Sequence, residues 1–414
     1  MSDATAPDPP NGSRAGLSGR AWALLILIGV VFAAYNGLHL ATFMLLGDTI
    51  FTDYVGLWSF GRFPLLQPAV EIYQAAALRP FQHAEVPGFD NFLPYPYPPF
   101  FLLVLAPFGA LPIGVARLLW LSLSGAAMLA AAMAMQGGTR SGWRQWQMVL
   151  AILLGVVLTP LSLINILFGQ TGFLTAALLC GGLVLLPKRP IWAGILFGLL
   201  ACKPQLGLLV PVALLAARAW GAILAALLTV LALALASSLI FGWDLWAPWF
   251  GSLVGHVGLM ETGVVLQKRL MPTVLITMQG WGMPRWLAWG AQGGIFLAML
   301  VLVWRAYRRD PGVASAAVLI AGTYLSTPYG FVYDMPAVGV AMWALLARRL
   351  MAGGALPMAE LALLLVGQMA AAATSWGPPG GAVMVEAVLC LLLVLAWDQI
   401  PRGVLSADTR FLGV

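Results

Sequence analysis

AWALLILIGVVFAAYNGLHLATFMLL, residues 21–46, runs for 26 positions without a single Asp, Glu, Lys or Arg. As a helix it reaches about 39 Å, more than the hydrocarbon thickness of about 30 Å. It is about twice the length of a signal-peptide core and has no small-residue cleavage site after it, so it reads as a retained first membrane helix. Residues 1–20, rich in Pro, Ser, Gly and Asp, read as a disordered cytoplasmic tail.

Working outward, the rest of the chain repeats this character. Of 414 residues, 61% are hydrophobic and only 9% charged, with a mean hydropathy of +0.92. A soluble domain carries about 25% charged residues, so this chain has too few to cover a water-facing surface. Apolar stretches recur at 113–136, 146–168, 171–187, 219–241, 286–307, 313–327, 335–347, 357–374 and 380–397. Two others are irregular. Residues 97–112 (YPPFFLLVLAPFGALP) are short and proline-rich, which suits a broken or re-entrant helix, and 190–217 carries Lys203-Pro204 at its middle, which suits two half-helices or a kinked span. The expected class is an all-α, polytopic integral membrane protein with roughly ten to thirteen transmembrane helices.

Charge position sets the orientation, because Lys and Arg collect in short cytoplasmic loops. With Arg14 and Arg20 inside, alternate passes also place Arg140, Arg144, Lys188, Arg189, Arg218, Arg305, Arg308, Arg309, Arg348, Arg349 and Arg402 inside. This holds only if 97–136 makes one net crossing and 190–217 none. The predicted organisation is a single membrane domain over 21–400 between a tail at 1–20 and a cytoplasmic C-terminal tail at 401–414. Loops 47–96, 242–285 and 328–334 then face the periplasm. Residues 68–79 begin at a proline and gather Val70, Ile72, Tyr73, Ala76 and Ala77 toward one face, as in a helix lying on the membrane surface. Trp243, Trp246, Trp249 and Phe250 suit an interfacial aromatic belt.

Candidate chemistry gathers on the same side. Asp48 and Asp53 follow the first helix; Asp48, after Gly47, suits a turn, while Asp53 precedes the apolar run YVGLW. A carboxylate fixed at that boundary can serve as a general base toward an acceptor hydroxyl, although loop acids also serve as caps. Arg62, Arg79, Lys268, Arg269 and Arg285 break the positive-inside pattern, and a phosphate-bearing head group would account for them, as would ordinary loop solvation. Lys203 lies within apolar sequence, where a charge is retained for a pathway or a partner, or snorkels to an interface. Asn165, Gln170, Tyr329, Tyr333 and Asp334 lie at helix ends that share this side, suited to lining a cavity or to interhelical hydrogen bonds. Cys180, Cys202 and Cys390 lie in apolar segments and form no spaced pair, and His39, His83 and His256 fit no ligand spacing, so no metal site is expected. The chain has no phosphate-binding glycine loop, dinucleotide fingerprint or nucleophile elbow. Neither a soluble nucleotide donor nor nucleic acid is expected as a partner.

Asp53, the Tyr-Pro-Tyr-Pro-Pro-Phe run at 95–100, Phe-Gly-Gln-Thr-Gly-Phe-Leu at 168–174, Lys203-Pro204-Gln205, Thr-Pro-Tyr at 327–329 and Tyr333-Asp334 together resemble bacterial glycosyltransferase family 87, also labelled as a domain of unknown function. The likeness runs from about residue 48 to about residue 340. It implies a GT-C helical bundle in the inner membrane and an inverting transfer of a sugar, often mannose. The donor it implies is a polyprenyl phosphate sugar and the acceptor a lipid or glycan on the periplasmic face, without a cofactor or metal. By that resemblance Asp53 is the general base, and Lys203, with Arg62, Arg269 and Lys268 behind it, holds the donor phosphate. Asp48, Tyr97, Asn165, Gln170, Gln205, Tyr329, Tyr333 and Asp334 are the candidate cavity lining. A transporter or flippase of a lipid-linked intermediate is the competing reading, with Lys203 and the broken segments lining a path. An assembly subunit is a third, but it leaves Lys203 unexplained.

Overall fold

The computed structural model describes residues 19–45, 53–136, 145–253, 268–352, 357–376 and 380–401, and among these all regular structure is helical. Asp48, most of both tails, Arg140, Arg144, His256 and Arg402 lie outside the described residues. Helices are the expected outcome in lipid, because each satisfies its backbone hydrogen bonds within itself.

Four helices are long and apolar enough to cross a bilayer alone: α1 (Gly19–Leu45), α5 (Ile113–Gln136), α11 (Trp220–Phe241) and α13 (Arg285–Arg309). Between α1 and α5 come α2 (Tyr54–Leu66), α3 (Ala75–Glu85) and α4 (Leu102–Gly109). One further pair of apolar helices, bent by 68° at its break, has the length and composition of a broken span or a re-entrant loop. It joins α6 (Gln145–Ile152) and its π-helical extension Leu153–Val157 to α7 (Pro160–Phe168). Pro160 at the first position of α7, capped by Thr159, cannot extend the preceding ladder, which accounts for the bend.

Exposed tryptophans mark the bilayer. Trp220 and Trp243 at the two ends of α11, and Trp286 and Trp304 on α13, are exposed. Their helical separations are about 34 Å and about 27 Å, close to the hydrocarbon thickness.

Many of the remaining helices are too short to span. These include α8 (Gly172–Leu185), α9 (Pro190–Leu199), α10 (Val210–Ala216) and α14 (Val313–Ser326), whose lengths are about 21, 15, 10 and 21 Å. They pair as hairpins. Gly194 packs on Ala222 and Gly198 on Ala226 and Thr229, so α9 and α11 run parallel. Because α10 ends just before α11 begins, 190–217 doubles back without a net crossing, as the charge pattern requires. The same register sets Lys203 level with residues 231–234 of α11, about 10–15 Å short of Phe241. A second hairpin joins α14 to α15 (Pro336–Ala352) through residues 327–335. The described chain also includes α12 (Val274–Gly280), α16 (Met358–Trp376) and α17 (Gly380–Asp398).

The Asp53 end carries its own apolar cluster, distinct from the main bundle core. Phe60, Phe63, Ile72, Leu78, Phe81, Tyr95, Tyr97 and Phe101 are buried there. The expected surface helix over 68–79 divides instead: Ala69–Tyr73 is a 3-10 turn, Gln74 is extended, and α3 starts at Ala75. Burial of Ile72 and the bond from the Tyr73 hydroxyl to the Tyr97 carbonyl, 2.9 Å, turn this segment into the protein. Helix α2 was not anticipated from sequence. It meets α4 backbone to backbone, since a Cβ on Gly61 would lie 2.1 Å from the Leu105 carbonyl oxygen. We therefore expect Gly61→Val to cost about 3 kcal/mol or prevent folding. Gly114→Ala, where a Cβ meets nothing within 4 Å, should leave the thermal midpoint in detergent unchanged.

Candidate active site

Asp53 occupies the N-cap position of α2, yet its side chain makes no capping bond. Its backbone carbonyl accepts from Gly56 and Leu57 at 3.0 and 3.3 Å, and the carboxylate is free to look elsewhere. It faces the turn between α7 and α8, where Gln170 Nε2 donates to Asp53 Oδ2 at 2.8 Å. Gly169 allows this approach. Its φ of +63° closes the C-terminus of α7, and a Cβ there would lie 2.6 Å from Tyr54 Cβ, so any larger residue would push the turn away from Asp53.

Two residues that sequence reasoning missed brace that turn. Arg117 Nη2 donates to the Ile166 and Leu167 carbonyls at 3.2 and 2.9 Å, placing a cation at the negative end of α7. Trp120 Nε1 donates to the Gln170 carbonyl at 3.3 Å. The signal available was an Arg in the first turn of an otherwise uncharged membrane helix.

Lys203 does not stand alone. Its Nζ lies 2.6 Å from Asp334 Oδ1, with the lysine side chain 8% and the aspartate 1% exposed. The ammonium also sits 5.8 and 5.6 Å from the ring centres of Tyr97 and Tyr333. A buried ammonium without a partner costs several kcal/mol, so the fold supplies a carboxylate and two aromatic faces. The Thr327 hydroxyl donates to the Gln205 carbonyl at 3.0 Å, and the Tyr324 hydroxyl donates to the Asp334 carbonyl. The Thr327–Gln205 bond and the Lys203–Asp334 pair clasp the two hairpin turns, and the Tyr324 bond closes the second of them. Asn165 Nδ2 donates to the Tyr333 carbonyl at 3.0 Å, tying α7 to the same point.

Gly172, at the start of α8, abuts the Tyr333 carbonyl and Pro336. The start of α8 thus packs on the start of α15, while the turn just before α8 bonds Asp53, which precedes α2. The positive ends of the α2 and α8 dipoles favour an anion near that turn. Crowding by protein pushes the Asp53 carboxyl above the usual carboxylate range. The Gln170 hydrogen bond and the charge of Lys203 pull it back, and Asp334 pushes it up. A carboxylate of raised basicity, held on one oxygen, is suited to accept a proton.

The other expected residues divide. Arg62 is nine residues along α2 from Asp53, about 13 Å away along the axis. It bonds Glu85 at 2.5 Å and the Gly109 carbonyl at 3.3 Å, so it pins α2 to α3 and α4 and does not join the cluster. Lys268 is half-buried and Arg269 exposed. They precede Leu270, whose carbonyl accepts from Val332 at 2.9 Å, so their backbone lies alongside the Tyr333–Asp334 turn. Tyr329 packs against Trp289 with ring centres 6.2 Å apart. The Gln205 side chain is half-buried, its carbonyl being the atom used.

The described fold is a helical membrane bundle whose broken helices bring together a carboxylate and a buried ion pair. The model of glycosyltransferase family 87 matches residues 95–328, more than half of the chain. The chain belongs to that family and is a membrane glycosyltransferase. The matched segment takes in Tyr97, Asn165, Gln170, Lys203 and Gln205, while Asp53 and Asp334 flank it. No curated protein and no solved structure matches the chain.

Proposed function

We propose that this glycosyltransferase moves a sugar, mannose first among the candidates, from a polyprenyl phosphate donor to a lipid or glycan acceptor on the periplasmic face of the inner membrane. The carrying observation is Asp53, held by Gln170 at 2.8 Å at the turn between α7 and α8. In the reaction the acceptor oxygen attacks the anomeric carbon and Asp53 takes the hydroxyl proton. The bond from that carbon to the phosphate oxygen breaks, its electron pair leaving with polyprenyl phosphate, and configuration inverts.

Two features support the orientation and the donor. Lys188, Arg189, Arg218, Arg305, Arg308, Arg309, Arg348 and Arg349 all fall at the end of the bundle opposite Asp53, as the directions of α8, α11, α13 and α15 require. By the positive-inside rule that end is cytoplasmic, with both termini, and Asp53 faces the periplasm, where no nucleotide pool exists. Phosphate on a lipid is already a fair leaving group and needs no metal. Because Lys203 is neutralised by Asp334, the donor phosphate is met chiefly by the helix N-termini and by Lys268 and Arg269. The Lys268→Gln/Arg269→Gln variant should raise the donor KM about tenfold with kcat within a factor of three, as loss of charge-assisted contacts predicts. An unchanged donor KM would remove both residues from the site.

The test of the reading uses the full-length protein in nanodiscs with mannosyl, glucosyl and galactosyl phosphoryl polyprenols, against the matching nucleotide sugars. Transfer or hydrolysis from a lipid-phosphate donor supports it. Turnover of a nucleotide sugar, or of none of them, overturns it.

A further inference from the structure

We propose that Gln170 is a positioning residue that holds Asp53 by Oδ2 and so reserves Oδ1 as the atom that takes the acceptor proton. The inference rests on Asp53 acting as base and goes beyond it in assigning the two oxygens different tasks. Gln170 is 8% exposed, and every polar group it has is engaged. Its backbone N–H bonds the Asn165 carbonyl at 3.2 Å and its carbonyl receives Trp120 Nε1 at 3.3 Å. Its side-chain Oε1 accepts from the Thr171 N–H at 3.4 Å. A carboxylate only accepts, so the amino end of the carboxamide is the one that faces Asp53, and Oε1 is left to the Thr171 N–H.

Structure on both sides makes the contact rigid. Gly169 brings the turn against Tyr54, the residue after Asp53, and Arg117 fastens the end of α7 beneath it. Two side chains separated by 117 positions in sequence are therefore set by fixed backbone. A base that may rotate spends part of its time with neither lone pair aimed at the substrate, and precise orientation of such a group contributes one to several orders of magnitude in rate. Among the described residues, the charged and titratable groups that act on Asp53 from the elements around it are Lys203, Asp334 and the Tyr333 hydroxyl, with Tyr97 beside Lys203. Gln170 is the neutral donor bonded to it.

The experiment compares Gln170→Leu and Gln170→Glu with the parent protein in nanodiscs, using mannosyl phosphoryl polyprenol and following release of polyprenyl phosphate against pH. The expected result for Gln170→Leu is a 10- to 100-fold fall in kcat with donor KM within threefold. The acid limb of the profile should also move to higher pH, because the lost N–H had favoured the carboxylate. Gln170→Glu preserves volume, and its negative charge should move the limb further. An infrared titration of the carboxyl stretch, assigned by its loss in Asp53→Asn, should shift in the same direction without reference to turnover. A fall in kcat with an unmoved limb and an unmoved infrared titration would mean a structural role and overturn the proposal, as would normal kcat in both variants. If Asp53→Asn itself turned over normally, the reading of Asp53 as base would fail first, a different outcome from an inactive Asp53→Asn beside a normal Gln170→Leu.

Discussion

Asp53→Asn is expected to fold and to transfer no measurable sugar, a loss of about 10²–10⁴-fold as removal of a general base predicts. The substitution is nearly isosteric, and Asn Oδ1 can still accept from Gln170. Its effect on stability has a definite sign. Burial raises the Asp53 carboxyl above its unfolded value, so the stability it contributes is present below the unfolded value and is lost as pH rises through the folded one. Above that window the raised value counts against the folded state, and Asn, which does not ionise, removes this cost. The thermal midpoint in detergent should be equal to that of the parent or higher. Activity lost together with stability would point to misfolding, and activity retained would remove Asp53 from the chemistry.

Lys203→Met should have the largest effect on the fold. It leaves Asp334, 1% exposed, without its cation, and breaking one side of a buried pair costs about 3–5 kcal/mol. Asp334→Leu should cost a similar amount for the mirror reason. The double variant Lys203→Met/Asp334→Leu should recover most of that loss, and a double-mutant cycle measures the coupling directly. Each single variant melting like the parent would contradict the buried pair. The refolded double variant also separates structure from donor binding. A protein that melts normally but has a donor KM raised tenfold or more would give Lys203 a direct part in holding phosphate, whereas a normal KM would confine the pair to clasping the two turns.

Much of the architecture was legible because lipid imposes a simple rule: uncharged apolar runs become helices, and most cations collect at one end. Residues 21–46 and 219–241 needed nothing more. The proline at 204 and the bracketing of 190–217 by cations announced a hairpin, which the register of Gly194 and Gly198 on α11 displays. Helix α2 was harder to see, because YVGLWSFGRFPLL is too short for a span and its two glycines lower helix propensity. Its helicity follows from packing on α4, where Gly61 is the condition for contact.

The candidate site was visible residue by residue, but not as an assembly. A lone Lys in an apolar run signals a partner without naming it, and Asp334 lies 131 positions away. Arg62 looked like Lys203 as an unexplained cation, yet an ion pair to Glu85 absorbs it. By itself, the sequence determined a helical membrane protein, an expected orientation from its charges and the polar residues that needed a reason to exist. Only the tertiary structure decided which of them meet, that Lys203 is neutralised, and that Gln170 holds Asp53. Hydrophobicity is a sum over local residues, whereas a hydrogen bond between side chains 117 positions apart depends on where two backbones are carried by every helix packed between them.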